Sequence, residues 1–339
     1  MNASPARRRA ARILATACCV LGLAAGATGT AGAKPLDTSG FRGVNWADPR
    51  DNYASDEVVP SGLSKTDSYA ATYAKARSVI GQFRAKLGAN TVRLPVNPAT
   101  VNGTFWNSYT GAIDAATAQG FKVILGYWES PTAKDGRIDD TAAFTAMWNR
   151  ITARYGRDDA VYFEPMNEPF GYTSQQWRDV VASWLAAHPQ VPRARVFVDG
   201  TGYADDVKAV CADNRLGGTH LALHFYGFWH SDWTDPAKWR ADFDARIGNC
   251  ASRTVLDEFG ASMTTGLNYD GPVNGSNEIA YLQVVTDRLR ELRMGSVYWP
   301  GLRTGDTFSL TALQGNGSAP TLRVTNASGA HRVAWGWGS

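Results

Sequence analysis

Short runs of β-branched and aromatic residues alternate along the chain with longer stretches in which apolar residues recur every three or four positions. The runs predict strands over residues 41–47, 90–96, 122–129, 161–169, 195–200, 221–227, 253–260 and 295–301. Between the first two, Tyr73, Ala76, Ile80, Phe83 and Leu87 mark one face of an amphipathic helix, and Gly88 supplies its stop. Later stripes repeat the pattern: Phe144, Trp148, Ile151 and Tyr155; Trp177, Val181, Trp184 and Leu185; Ile279, Leu282, Leu289 and Leu292. Asp235 and Pro236 open a further helix carrying Trp239, Phe243 and Ile247. Strands alternating with helices imply a parallel sheet, and eight of them close most naturally into a single-domain α/β fold, the (β/α)8 TIM barrel. The eighth helix is the weakest element, because 305–339 is rich in Gly, Ser and Thr. No linker or repeat divides residues 34–339, which read as one catalytic domain.

Composition changes the picture mainly at the N-terminus. The 339 residues are 44% hydrophobic and 19% charged, which is globular. The formal charge of +3 is uneven: residues 1–33 hold Arg7, Arg8, Arg9, Arg12 and no acid, so the remainder carries −1. That balance disfavours a nucleic-acid partner. The leading segment reads as a secretory signal peptide over 1–33, with a basic start, an apolar stretch over 13–27 and a small-residue cleavage site at Ala31-Gly32-Ala33. A membrane anchor fits less well, since Thr16, Gly22 and Gly26 interrupt a short apolar run. The mature chain is expected to be secreted, free of the membrane and, by default, a monomer. Removing the leader takes Cys18 and Cys19 with it, leaving Cys211 and Cys250. Two cysteines in an oxidising compartment read as one disulfide, and no His stands near them at zinc spacing.

Barrel active sites lie at the C-terminal ends of the strands. That rule selects Asn45, Trp46, Arg93, Trp128, Glu129, Asn167, Glu168, His224, Tyr226, Glu258 and Trp299. Glu168 and Glu258, at the ends of the fourth and seventh strands, form the pair that retaining glycoside hydrolysis needs: one acid to protonate the leaving oxygen and one carboxylate to attack the anomeric carbon. Trp rings suit the apolar faces of sugars, and Asn, Arg, His and Tyr suit hydroxyl recognition and pKa control.

These residues resemble glycoside hydrolase family 5, the cellulase-like family of retaining β/α barrels, over most of 40–303. The strongest match is Phe163-Glu164-Pro165-Met166-Asn167-Glu168-Pro169. It implies that Glu168 is the acid/base and that Asn167 holds the sugar 2-hydroxyl. Leu256-Asp257-Glu258-Phe259-Gly260 implies Glu258 as nucleophile, and Thr91-Val92-Arg93-Leu94-Pro95 implies Arg93 as the cation that keeps it ionised. His224-Phe225-Tyr226 matches the sixth-strand pair and Trp299 the sugar platform. The chain departs from the family where Gly126-Tyr127-Trp128-Glu129 stands in place of a His at the end of the third strand. An aromatic ring or Glu129 must then replace that His.

Several expectations follow. The two carboxyl groups should lie about 5–5.5 Å apart. Glu164 should be a buried partner in the barrel, and Asp257 should face away from the pocket that Glu258 faces. Trp106, Trp229, His230 and Trp233 are open between sugar platforms and packing. Arg303 could touch substrate or pair with Asp306, and Asp48, Asp51, Asp56 and Glu57 read as a solvated acidic face rather than a calcium loop. No metal or organic cofactor is expected. The substrate is expected to be a β-linked oligo- or polysaccharide, β-1,4-glucan by default, with mannan, β-1,3-glucan, furanosides and exo action open. A silent carbohydrate-binding barrel and a transglycosylase are the rival readings.

Overall fold

The computed structural model describes Met1, residues 36–315 and residues 317–338. The expected leader lies, but for Met1, outside the described residues. Eight strands, β1 (Arg42–Trp46), β2 (Thr91–Val96), β3 (Lys122–Tyr127), β4 (Val161–Glu164), β5 (Phe197–Asp199), β6 (His220–His224), β7 (Thr254–Glu258) and β8 (Ser296–Leu302), are parallel neighbours in the order β4-β3-β2-β1-β8-β7-β6-β5. A parallel bridge from Phe163 to Val196 brings β4 and β5 together, so the sheet rolls into a (β/α)8 barrel. Each predicted run carries one strand. Most stop short of the predicted end; β4 finishes at Glu164, and residues 165–169 continue as irregular chain.

The helices form where periodicity and caps coincide. Ser68 accepts the Ala71 N–H to start Tyr69–Leu87, and Gly88, at φ 74°, ends it in the left-handed conformation that glycine adopts without strain. Asp235 caps Pro236–Ile247 as the sequence suggests. Helix Trp106–Ala118 is not among the predicted elements. Its buried face is largely small, with Gly111, Ala112, Ala115 and Ala116, so no stripe of large residues marks it. Trp106 itself is buried, stacked on Tyr109 and edge-on to Tyr155, which resolves it as packing. The weak C-terminal stretch holds a hairpin, β9 (Thr311–Gln314) with β10 (Thr321–Val324), before the returning helix Ala327–Gly336. Cys211 and Cys250 are joined as expected, with Cα atoms 6.3 Å apart.

Inside the barrel the side chains fall into layers because alternate strand residues face inward. At the N-terminal end Phe41, Tyr162, Phe197 and His220 pack edge-on or tilted as an apolar plug, with Ile124, Val255 and Val297 beside them. One pleat further on, the inward residues become Asn45, Arg93, Glu164, Asp199, Asp257 and His224, all buried. The third layer, at the mouth, is Ala47, Trp128, Tyr226 and Trp299. The same alternation turns Trp46 outward. Its ring is fully buried against Phe83 of the first helix, and its Nε1 donates to the Ser61 carbonyl, so Trp46 is a core residue and not a sugar ligand.

Candidate active site

Arg93 organises the polar layer. Its Nε donates to Glu164 Oε2 at 2.6 Å, and its second η-nitrogen donates both to Glu164 Oε1 and, at 2.7 Å, to Asn167 Oδ1. The first η-nitrogen donates to Asn45 Oδ1 at 3.0 Å and to Glu258 Oε1. One buried guanidinium thus fixes residues from β1, β2, β4 and β7 through its rigid fork of donors. Gly126 on β3 makes room for Glu164: a Cβ there would sit 2.9 Å from Glu164 Oε2. Glu164 is therefore the buried partner the sequence suggested.

Glu258 and Asp257 depart from simple alternation. Asp257, expected to face away, is the inward residue of β7. It lies 3.8 Å from Arg93 Nε and 3.5 Å from His224 Nε2. Glu258 also faces inward because the β6–β7 register shifts there, pairing Leu223 with Leu256 but His224 with Glu258. Two adjacent carboxylates consequently enter the barrel, one at the floor of the site and one in the pocket.

Glu168 reaches the pocket by another route. Four residues beyond Glu164, it sits at φ 49°, a left-handed conformation unfavourable for a side chain of this kind. Asp199 Oδ2 accepts the Glu168 N–H at 2.9 Å and the Glu168 carbonyl accepts the Phe170 N–H at 2.8 Å, which holds the turn. The side chain then meets His224 Nδ1 at 3.0 Å and Tyr53 Oη at 3.3 Å. His224 Nδ1 is also 3.5 Å from Glu258 Oε2, and carboxylate oxygens of Glu168 and Glu258 lie within 4.8 Å of each other. Tyr226 donates to Glu258 Oε2 at 3.0 Å.

Burial governs the titration of these groups. It pushes the Glu168 carboxyl up to about 7, against the opposing pull of Arg93, Tyr53 and Lys134. Burial also raises Glu258, opposed by His224 and Arg93. His224 is pushed down to about 4 by burial, which leaves a neutral imidazole at pH 7. Tyr226 stays a neutral donor, its phenol raised by burial and by Glu258. Beneath the site, burial first and neighbouring carboxylates second push Asp199 and Asp257 well up. Glu164, Asp199 and Asp257 bring carboxylate oxygens within 4.8 Å of one another in the closed interior, where the raised Asp199 and Asp257 relieve the repulsion by holding protons.

Above this floor opens a pocket of about 610 Å³ lined by Glu168 and Glu258. Trp128 and Trp299 stack at 5.4 Å on one wall, and Tyr53 stands edge-on to Trp128 at 5.1 Å. Of the residues that end the third strand, Trp128 is the one that lines the pocket. Glu129 does not: it is buried, with its carboxylate accepting the N–H groups of Gly136 and Arg137, and so anchors the loop that carries Lys134. Asn167 Nδ2 is a buried donor without a partner among the described residues.

Other expectations resolve as packing or as missed residues. His230 and Trp233 stack on each other at 3.8 Å and Trp229 packs beside Tyr226, and none of the three lines the pocket. Asp48 is buried and tied to Arg50, while Asp56 pairs with Arg50 and Lys65, so these acids are bridged and not simply solvated. Arg303 pairs with Asp306 as considered, and it also lines the pocket. Sequence reasoning missed Tyr53, Lys134, Phe170, Tyr203, Phe228 and Phe308, which reach the pocket from loops and short helical turns without motif or period.

The comparisons with known proteins agree with this geometry. The family model for cellulase, glycosyl hydrolase family 5, matches residues 53–300. The catalytic domain of an endoglucanase from Xanthomonas campestris superposes with a TM-score of 0.62 at 17% identity, covering 88% of this chain and 95% of that one. An endocellulase from Pyrococcus horikoshii in complex with cellotetraose gives 0.62 at 15% identity, covering 87% and 92%. A cellulase–inhibitor complex gives 0.63 at 17%, covering 87% and 92%. No curated protein sequence matches significantly. With the family model spanning most of the barrel, the chain belongs to glycosyl hydrolase family 5 and is a glycoside hydrolase.

Proposed function

We propose that the protein is a secreted, retaining glycoside hydrolase that cleaves β-linked oligo- or polysaccharides by double displacement. The observation that carries the reading is the approach of a Glu168 and a Glu258 carboxylate oxygen to within 4.8 Å across the pocket, which supports the closely spaced pair of a retaining enzyme over the wider pair of an inverting one. Glu258 Oε attacks the anomeric carbon while the C–O bond to the leaving group breaks, and Glu168 gives its proton to the departing oxygen. Water then attacks the glycosyl-enzyme carbon. Glu168, now a carboxylate, takes the water proton, and the ester bond to Glu258 breaks.

Each neighbour has a role in this cycle. Arg93 and Tyr226 direct charge and a hydrogen bond at Glu258, favouring its ionised form. The raised Glu168 suits an acid that must be protonated at rest near neutral pH. Loss of the Glu258 charge on forming the intermediate eases deprotonation of Glu168 for the second step. Asn167 Nδ2 is the donor assigned to the sugar 2-hydroxyl. Trp299 and Trp128 offer the ring faces, and neither metal nor organic cofactor enters any step.

β-1,4-Glucan is the first substrate to try, since a structural neighbour holds cellotetraose. Release of sugar from such glucans by wild type but not by Glu258→Ala, with azide restoring turnover as a glycosyl azide, supports the assignment. Near-normal activity of Glu258→Ala would move the nucleophile elsewhere. Amino-terminal sequencing of exported protein should begin at Lys34, and light scattering should give a monomer.

A further inference from the structure

The two ends of the pocket are built differently. Glu168 protonates the leaving oxygen, so the leaving group lies on its side of Glu258, along the loops after β4, β5 and β6. There the pocket is bounded by aromatic rings with free faces: Phe170 stacks on Tyr203 at 4.4 Å, and Tyr203 and Phe228 are 50% and 58% exposed. The glycone points the other way, over Trp299 and Trp128 toward the loops after β1, β3 and β8.

That second end is walled by an ionic cluster. Arg303, after β8, pairs with Asp51, after β1, at 2.9 Å and with Asp306 at 2.6 Å, so a salt bridge spans the gap between the two loops. Tyr53 lies alongside, edge-on to Trp128 and within 3.3 Å of Glu168. Lys134 Nζ closes over the Tyr53 ring at 4.2 Å, with no carboxylate partner among the described residues. A polysaccharide entering from this side would meet these side chains at the pocket wall.

We infer that the enzyme is exo-acting: it removes one terminal glycosyl residue at a time, with the Asp51–Arg303–Asp306 strap and Lys134 closing the glycone side and engaging the hydroxyls of that residue. The inference deepens the glycosidase reading and rests on it. The aromatic side remains open, so the rest of a long chain leaves as the aglycone and lies across Phe228 and Tyr203.

The test uses the mature chain with cellohexaose labelled at its reducing end, the corresponding mannohexaose, 4-nitrophenyl pyranosides and furanosides, and a dye-crosslinked glucan whose ends are few. Monosaccharide as the sole early product, label kept on the longest fragment and no dye release are expected. Early di- or trisaccharides, or rapid dye release, would overturn the exo assignment while leaving the hydrolase reading intact. Failure to cleave any of these substrates would overturn the hydrolase reading itself. Arg303→Ala should let oligosaccharides form at a tenth or more of early product. Asp51→Asn, which keeps side-chain size, repeats the test should the arginine variant unfold. Monosaccharide alone from a folded strap variant would overturn the role given to the strap.

Discussion

The aromatic and the ionic ends of the pocket sit on the same barrel, yet they rest on different physics. The rings of Tyr203 and Phe228, each stacked on a neighbour on one face, leave half or more of their area exposed, so they tolerate varied sugars at little cost in orientation. Asp51, Arg303 and Asp306 are committed to one another, and their geometry defines a boundary. A cleft open at both ends would need the first kind of surface on both sides. Substrate length is thus set on this scaffold by the loops after β1 and β8, while the chemistry is set by buried residues beneath both ends.

The largest effect should come from the group that both ends share. Glu258→Gln should lower hydrolysis by about 10⁴-fold or more, with near-native circular dichroism. A loss that differed greatly between short and long substrates would show that Glu258 serves only one end. Next, Phe228→Ala together with Tyr203→Ala should raise KM for oligosaccharides by roughly tenfold, from about 0.5–1.5 kcal/mol per lost stacking pair. Nitrophenyl monoglycosides, whose leaving group is short, should be affected far less. Equal losses on both would break the distinction between the ends.

Smaller shifts should appear in pH profiles. Glu168 must be protonated to act, so kcat should fall as pH rises through about 7. Lys134 pulls that carboxyl down, so Lys134→Ala should move the alkaline limb to higher pH by less than about one unit. An unmoved or lowered limb would separate Lys134 from the acid. The same raised acid contributes stability that is fully present below its unfolded value of 4.5 and is lost as pH rises through about 7, because the folded chain binds the extra proton. Glu168→Gln lacks that titration and should gain Tm relative to wild type between those two values. Away from either end, Cys211→Ser with Cys250→Ser should cost about 2–4 kcal/mol of stability and leave KM unchanged.

How far the sequence reached depends on which periodicity governed each residue. Barrel strands and the large-residue helix stripes were legible because burial imposes a period of two or near 3.6, and the Asn167-Glu168 and Glu258 positions were legible through their strand-end motifs. Trp46 was misassigned, although the alternation that turns Asn45 inward sends Trp46 out. Asp257 stays out of the pocket as expected, but not through alternation: the register shift between β6 and β7 brings two consecutive residues inside, which alternation forbids. Helix Trp106–Ala118 buries mostly small residues and left no stripe. Tyr53 and Lys134 lie on loops and Phe228 on a short helical turn, where position follows from long-range contacts such as Arg303 with Asp51 and not from local pattern.

The account stands most directly on the stereochemistry of the first product. Proton NMR of the wild-type reaction, recorded before mutarotation, should show the newly formed sugar in the anomeric configuration of the substrate bond, as two displacements at one carbon require. Appearance of the opposite anomer first would mean a single displacement by water, and would contradict the pairing of Glu168 and Glu258 across one glycosidic bond.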